Sequence, residues 1–301
     1  SSQTINLKIL YIAVHSHTGW GAEYWLSQAF SDLQIDIETV DYRLERKIKS
    51  DSEIKAIIHQ KCEGCDLIFL QRGEKLIPEL FNGISIPIIF WSTEPLQLKT
   101  DVDMLLKSNI FTWLYVHSYS CIKRIQTEFK HLTNKTSVMH NAAPREIIDF
   151  NNEKKTYGIF NRNMSWRRRT WLWPSRKIIT RIHGRYGEDY YNDLQTSQIA
   201  VNIHYSNKNL DDFETGIFEA MASGCIVISE RLYEQTLKDL KMRDAIIQVD
   251  SPRELKEKLV FLKSSPKILT EYLAISKVAI QNNTWHDRAI EMQQKFQEVC
   301  N

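Results

Sequence analysis

Asp211-Asp212-Phe213-Glu214-Thr215-Gly216-Ile217-Phe218-Glu219-Ala220-Met221-Ala222-Ser223-Gly224-Cys225-Ile226-Val227-Ile228-Ser229-Glu230 is the stretch whose reading decides the fold. Its opening is polar and acidic, a helix is expected from about Thr215, Gly224 stops it, and Ile226 to Ser229 is an uninterrupted apolar strand. Loop, helix, glycine and buried strand make half of a βαβ unit. The small residues Ala220, Ala222 and Gly224 are what any helix needs to lie close on a sheet. Two acids around the helix start, followed by Glu-Ala-Met-Ala-Ser-Gly, ask for more than packing. The backbone amides of Glu214, Thr215, Gly216 and Ile217, with the positive end of the helix dipole, form an anion site suited to a diphosphate. Glu219, one turn inside, can accept hydrogen bonds from the vicinal hydroxyls of a ribose. Asp211 or Asp212, ahead of the helix, can reach a sugar ring on the far side of the phosphates.

Outward from this stretch the same alternation recurs. Strands are expected at Lys8 to Val14, Asp36 to Asp41, Asp66 to Gln71, Pro87 to Trp91, Phe111 to His117 and Thr136 to Met139. A glycine-containing loop, His15 to Gly21, and a helix to about Phe30 follow the first of them, and helical segments lie near 51 to 62 and 119 to 129. Near-continuous Val/Ile/Leu strands alternating with helices mark a parallel sheet covered on both faces. The pattern breaks from Asn141 to Lys155, which reads as a linker. It then resumes with strands near Tyr157 to Phe160, Ile178 to His183, Ile199 to Ile203, Ile226 to Ser229 and Ile246 to Val249, and helices from Pro252, Pro266 and Thr284. The expected fold is therefore α/β, two tandem Rossmann-like doubly wound domains, with an interdomain cleft at the carboxyl ends of the strands. The expected boundaries are 1–148, 149–283, and a C-terminal helix over 284–301 packing back on the first domain.

Composition narrows the class. The chain has 301 residues, 39 Lys+Arg against 37 Asp+Glu, a net charge of +2, and 43% hydrophobic residues. These values exclude disordered, collagen-like and disulfide-scaffold proteins, and the near balance of charge excludes blanket neutralisation of phosphates. The longest apolar runs fall well short of the roughly 20 residues of a membrane helix. Ser1 to Lys8 does not resemble a secretory leader, and five scattered cysteines fit a reducing compartment, so a cytoplasmic location is expected.

The Asp211–Glu230 stretch resembles the donor-binding segment of retaining glycosyltransferases of the two-Rossmann (GT-B) fold, whose pattern is an acid, seven residues, then Glu-Ala-Met-Ala-x-Gly. More narrowly, the second half resembles the CgeB-like, spore-associated glycosyltransferases. The matching pieces are Gly184-Arg185-Tyr186-Gly187 with Asp189-Tyr190-Tyr191, Ile199 to His204, Phe218 to Gly224, Pro252 to Leu255, and Thr284-Trp285 with Arg288. In the first half, Ile88 to Pro95 is similar to a strand and loop that this family places facing the cleft. Three positions depart from the pattern: Asp211 where Glu is usual, Glu214 in place of a loop glycine, and Asn283 in place of a His. The resemblance implies a transferase that moves a hexose or related sugar from a nucleotide diphosphate donor to an acceptor hydroxyl. It implies retention of configuration and a front-face mechanism without a protein nucleophile.

Other constellations are read beside it. Asn161-Arg162-Asn163 follows a strand, and Trp166 to Trp173 interleaves Arg167, Arg168 and Arg169 with tryptophans. Arg162, or one of Arg167, Arg168 and Arg169 with Arg169 put first, is expected to clamp the diphosphate bidentately, and Arg185 is expected to face it too. Two alternatives stand. Segment 162–173 binds a nucleic acid or an anionic membrane, as a non-catalytic module, or it is a solvated helix face with its tryptophans packed inward. Gly184 and Tyr186 belong to a turn that can read and stack a nucleobase, or to a plain left-handed turn. His117, Glu94 and His15, with His17 beside it, sit after strand ends and are candidates for acid–base work or for positioning; with Asp211 they make the expected catalytic set. Cys62-Glu63-Gly64-Cys65 has zinc or redox spacing without a second pair, and reads as a helix end with one buried thiol. Asp101 and Asp103 imitate a metal motif and read as surface residues. No obligatory metal or cofactor is expected beyond the nucleotide-sugar substrate. The acceptor is left open among glycan, small molecule, protein and nucleic acid, and a nucleotide-sugar epimerase of the same fold remains an alternative.

Overall fold

A computed structural model describes residues 6–15, 19–208, 210 and 213–301. The chain forms two compact units, one running to His140 and resuming over Trp285–Asn301, the other Asn141–Thr284.

The first unit holds β1 (Lys8–Ala13), α1 (Ala22–Asp32), β2 (Asp36–Asp41), α2 (Tyr42–Ile48), α3 (Asp51–Lys61), β3 (Leu67–Gln71), β4 (Ile88–Ser92), α4 (Asp103–Lys107), β5 (Trp113–Val116), α5 (Ile122–Glu128) and β6 (Thr136–Val138). Its six strands run in the order β2-β1-β3-β4-β5-β6, every pairing parallel. Every residue of β3 (LIFLQ) and β4 (IIFWS) is buried, as central strands covered on both faces require. Ser50 and Glu53 form a reciprocal capping box that starts α3. Because β2 and β3 lie on opposite sides of β1, the chain reverses direction between β1 and β3, which is where such sheets open a crevice.

The second unit holds β7 (Thr156–Phe160), α6 (Trp166–Leu172), β8 (Thr180–Arg181), α7 (Glu188–Gln195), β9 (Ser197–Asn202), α8 (Thr215–Ala222), β10 (Ile226–Glu230), α9 (Glu234–Leu240), β11 (Ile246–Val249), α10 (Pro252–Lys263) and α11 (Pro266–Gln281). Its order is β11-β10-β9-β7-β8, again parallel, with the reversal between β7 and β9. The strand expected over Ile178 to His183 contracts to Thr180–Arg181, an exposed edge pairing only with Ile159 and Phe160. The last helix, α12 (Trp285–Cys300), belongs to the first unit: Phe296 packs against Phe30 and Phe69, Trp285 against Trp91, and His286 bonds Asp32 at 2.7 Å.

The segment expected as a linker is packed in place. Ile147, Ile148 and Phe150 lie against the second unit's core, and the Asp149 amide bonds the Ala222 carbonyl at 2.8 Å, capping the end of α8. Its polar flanks hide the apolar residues that dock it. Gly224 ends α8 at φ +80°, a conformation that favours glycine, and a Cβ there would come within 3.0 Å of the Asp149 carbonyl.

Candidate active site

In the second unit the geometry centres on Arg162. β7 delivers Asn161 and Arg162 to the crevice beside β9, and the guanidinium lies on the first turn of α8, so that a Cβ on Gly216 would coincide with it. Gly216 is helical and is not among the glycines with positive φ. Its lack of a side chain therefore serves clearance, not backbone conformation. Burial works against the charge of Arg162, but Tyr190, Glu214 and Glu219 outweigh that and hold its pKa above the usual arginine value. A cation set on the positive end of a helix is a poor arrangement unless an anion joins it. The buried side-chain nitrogen of the adjacent Asn161 has no hydrogen-bond partner among the described residues.

Glu219 stands on α8 one turn from Gly216. The Tyr191 hydroxyl donates to it at 3.0 Å and that of Tyr190 at 3.3 Å, both from the facing α7. Burial pushes the Glu219 pKa up, opposed by Arg162 and by the two tyrosines. Neither tyrosine was singled out for a role in the sequence, although consecutive aromatic hydroxyls on a helix preceding an acid helix are a readable signal. Gly184 and Gly187 both adopt positive φ in the turn leading into α7, and Tyr186 is exposed beside them. Of the four amides expected to meet an anion, that of Ile217 bonds the Glu214 carbonyl at 3.0 Å, while those of Thr215 and Gly216 have no backbone partner in the helix.

The arginine segment is only in part a solvated face with tryptophans inside: Arg169 is exposed and Trp171 packs on the core, but Arg168 is buried and Trp166 and Trp173 are exposed. Arg168 is 3% exposed, and its guanidinium bonds Glu214 at 3.0 and 3.1 Å, the Ile203 carbonyl at 2.8 Å and the Asn163 carbonyl at 2.7 Å. Arg167 pairs with Glu230 and bonds Asn207 at 2.8 Å. Arg185 bonds Asp193 at 2.5 Å. These three charges are met inside the protein and do not gather on one diphosphate. Glu214 correspondingly neutralises Arg168 and is no added charge at the helix start. Arg169 is exposed, as are Trp166 at 82% and Trp173 at 62%. Linear interleaving could not say which side of α6 faces in. Asp211 and Asp212 lie outside the described residues, as does His17.

In the first unit the expected residues follow strand ends: His15 after β1, Glu94 after β4 and His117 after β5. His15 receives burial that lowers its pKa, and its Nε2 lies 3.0 Å from the Tyr11 carbonyl. Burial and then the Glu74 charge raise the Glu94 pKa, with Arg72 and His117 opposing. Arg72 pairs with the buried Glu23, and Tyr42 and Arg43 hold Glu74. The buried Gln71 nitrogen and Ser92 hydroxyl, at the ends of β3 and β4, have no partner among the described residues. Asp103, expected on the surface, is half-buried and paired with Arg124 at 2.6 Å, where it helps hold α5. Cys62 caps α3, Cys65 is buried, and both are free thiols. Among the described residues no group of three or more His, Cys, Asp or Glu side chains is placed to hold a metal, and no helix is long and apolar enough to cross a membrane.

Comparison with known proteins matches the second unit by sequence and nearly the whole chain by fold. Residues 153–294, just under half the chain, match the sequence model of a family described as glycosyl transferase-like. No curated protein matches. Among solved structures, a glycosyltransferase from Rickettsia africae superposes with a TM-score of 0.71 at 11% identity, covering 98% of both chains. Anabaena HepE in complex with UDP and glucose gives 0.65 at 11% identity over 97% of this chain and all of that one. The DNA-modifying enzyme β-glucosyltransferase, solved with and without uridine diphosphoglucose, gives 0.59 at 14% identity over 98% and 99%. The fold is thus the GT-B type of α/β protein.

Proposed function

We propose that the protein transfers a sugar from a nucleoside diphosphate donor, held by the second unit, to an acceptor hydroxyl, with retention of configuration. The observation that carries this reading is Arg162 laid on the glycine step of α8 beside a tyrosine-held carboxylate. Arg162 and the amides of Thr215 and Gly216 take the diphosphate, Asn161 adds a donor, and Glu219 accepts the ribose hydroxyls. UDP-glucose, the ligand of structurally similar proteins, is the first donor to test. Arg169 has no part in this assignment; Asp211 or Asp212 holds the donor sugar, and Tyr186 stacks on the base above the Gly184 turn.

Under retention the bond from the anomeric carbon to the phosphate oxygen breaks on the same face on which the acceptor oxygen bonds. The acceptor proton passes to the departing phosphate oxygen, so no side chain need take it. Glu94, His117 and His15 then orient the acceptor, with Ser92 and Gln71 supplying unmet hydrogen-bonding groups. Arg162 stabilises the charge that grows on the leaving diphosphate. No metal is needed for that charge in this scheme.

Isothermal titration with UDP and UDP-glucose tests the donor site. Ionised Glu219 accepts ribose hydroxyls more strongly than its protonated form, and burial raises its pKa, so affinity falls with decreasing pH at a higher pH than an ordinary carboxylate dictates. Glu219→Gln weakens binding and removes that dependence. Absence of binding to either nucleotide, or unchanged affinity in Glu219→Gln, overturns the reading. NMR of the sugar after incubation without acceptor separates a transferase from an epimerase.

A further inference from the structure

Beside the donor residues, the second unit carries an open groove of about 700 Å³ whose walls include Trp166, Trp171, Tyr205, Ser206 and Asn207. We infer that this groove is a carbohydrate-binding subsite, and that it holds part of a neutral glycan acceptor. The acceptor role rests on the glycosyltransferase reading; the binding of sugar does not.

The groove is built in advance. The Ser165 hydroxyl donates to the Tyr205 carbonyl at 2.7 Å, Arg167 donates to the His204 carbonyl at 3.1 Å and to the Asn207 side-chain oxygen at 2.8 Å, and Arg168 donates to the Ile203 carbonyl. The loop after β9 is thereby stitched to the start of α6, so little ordering entropy is left to lose on binding. Exposed aromatic rings beside hydroxyl and amide groups suit a sugar, which presents a C–H face and a rim of hydroxyls. Trp166 and Tyr205 supply the rings, at 82% and 54% exposure. Ser206 and the nitrogen of Asn207, which makes no hydrogen bond among the described residues, supply polar groups at the same wall.

Charge decides against a phosphate backbone. A nucleic acid needs uncompensated cations. The arginine that lines the groove, Arg167, is paired with Glu230, and Arg168 behind it is paired with Glu214. The groove's own lining is thus aromatic rings with hydroxyl and amide groups, its one arginine already paired. Arg168 also fixes the groove relative to the donor residues: its guanidinium lies 5.4 Å from the Tyr205 ring centre while bonding the carbonyl next to Arg162 and the carboxylate at the start of α8.

The test uses the full chain, wild type, Trp166→Ala and Trp173→Ala; both tryptophans are exposed, and Trp173 does not line the groove. Probes are maltotriose, cellotriose and triacetylchitotriose at millimolar concentration, a thymidine oligonucleotide at low and physiological salt, and UDP. The inference expects one of the sugars to bind, with saturation-transfer NMR and tryptophan fluorescence as readouts. Loss of a stacked ring should weaken it about three- to tenfold in Trp166→Ala and leave it unchanged in Trp173→Ala, with UDP affinity the same in all three proteins. No sugar binding alongside normal UDP binding overturns the inference, as does salt-sensitive oligonucleotide binding that Trp166→Ala abolishes. Sugar binding without UDP binding overturns the donor assignment and leaves the subsite standing.

Discussion

Gly216→Ala separates a site effect from a folding effect, because the two have opposite signs. Gly216 is helical, so alanine fits its backbone and should favour the helix by about 0.5–1 kcal/mol. The new methyl group, however, occupies the position of the Arg162 guanidinium. A long side chain yields more easily than a helix on a sheet, so Arg162 swings away and the fold persists. What is lost is a charge-assisted interaction with the diphosphate, worth about 1.5–3 kcal/mol, or roughly 10- to 150-fold in donor affinity. The assay is titration with UDP beside thermal denaturation of the same samples. The expected result is a Tm equal to or slightly above wild type with UDP affinity reduced at least tenfold. Arg162→Ala should show the same loss, and the double variant should lose no more than either single one, since both remove one interaction. Wild-type affinity in Gly216→Ala, or additive losses in the double variant, refutes the role given to this contact.

Two further outcomes follow from buried charge. Arg168→Ala leaves the Glu214 carboxylate unpaired beside two carbonyls that have lost their donor, and breaking such a pair costs about 3 kcal/mol, so denaturation should shift down by roughly 10 °C. An unchanged Tm would mean that the network is not holding the loop. Glu94 has its pKa raised, so the folded state binds its proton more tightly than the unfolded chain does; its contribution is most favourable at acid pH and is lost as pH rises through that raised value. Glu94→Gln should therefore gain stability relative to wild type on going from pH 4 to pH 8. A difference in Tm that is the same at both pH values would refute this assignment.

The two sheets were legible because their central strands are short apolar runs bounded by polar punctuation, and β3, β4 and β10 are buried along their whole length; β2, β6 and β8 are more polar and lie toward the edges. The α8 to β10 stretch was legible for the same reason, with Gly224 marking the break. The arrangement of Arg162 on Gly216 was only half legible. Each residue was named for the donor, yet nothing in their spacing of more than fifty positions says that one makes room for the other. Apolar burial leaves a local trace in the sequence; clearance between distant residues leaves none.

Charge was misread for a related physical reason. Five arginines near one expected anion invited a single explanation, but three of them are matched by carboxylates, Glu214, Glu230 and Asp193, that lie from eight to over sixty positions away. Arg169 is exposed to solvent, and matching divides the other four into two kinds. Arg167, Arg168 and Arg185 have carboxylates, and what they do is hold loops. Among the described residues Arg162 has no such bonded partner; Glu214 and Glu219 act on it through charge alone, and Glu219 is itself held by two tyrosine hydroxyls. Both carboxylates favour the Arg162 charge from a distance, and a bound diphosphate adds an anion that the guanidinium can bond directly. The preference for an anion at Arg162 thus depends on the neighbouring arginines being satisfied elsewhere: were Glu214 freed from Arg168, it would compete with the donor for the same guanidinium.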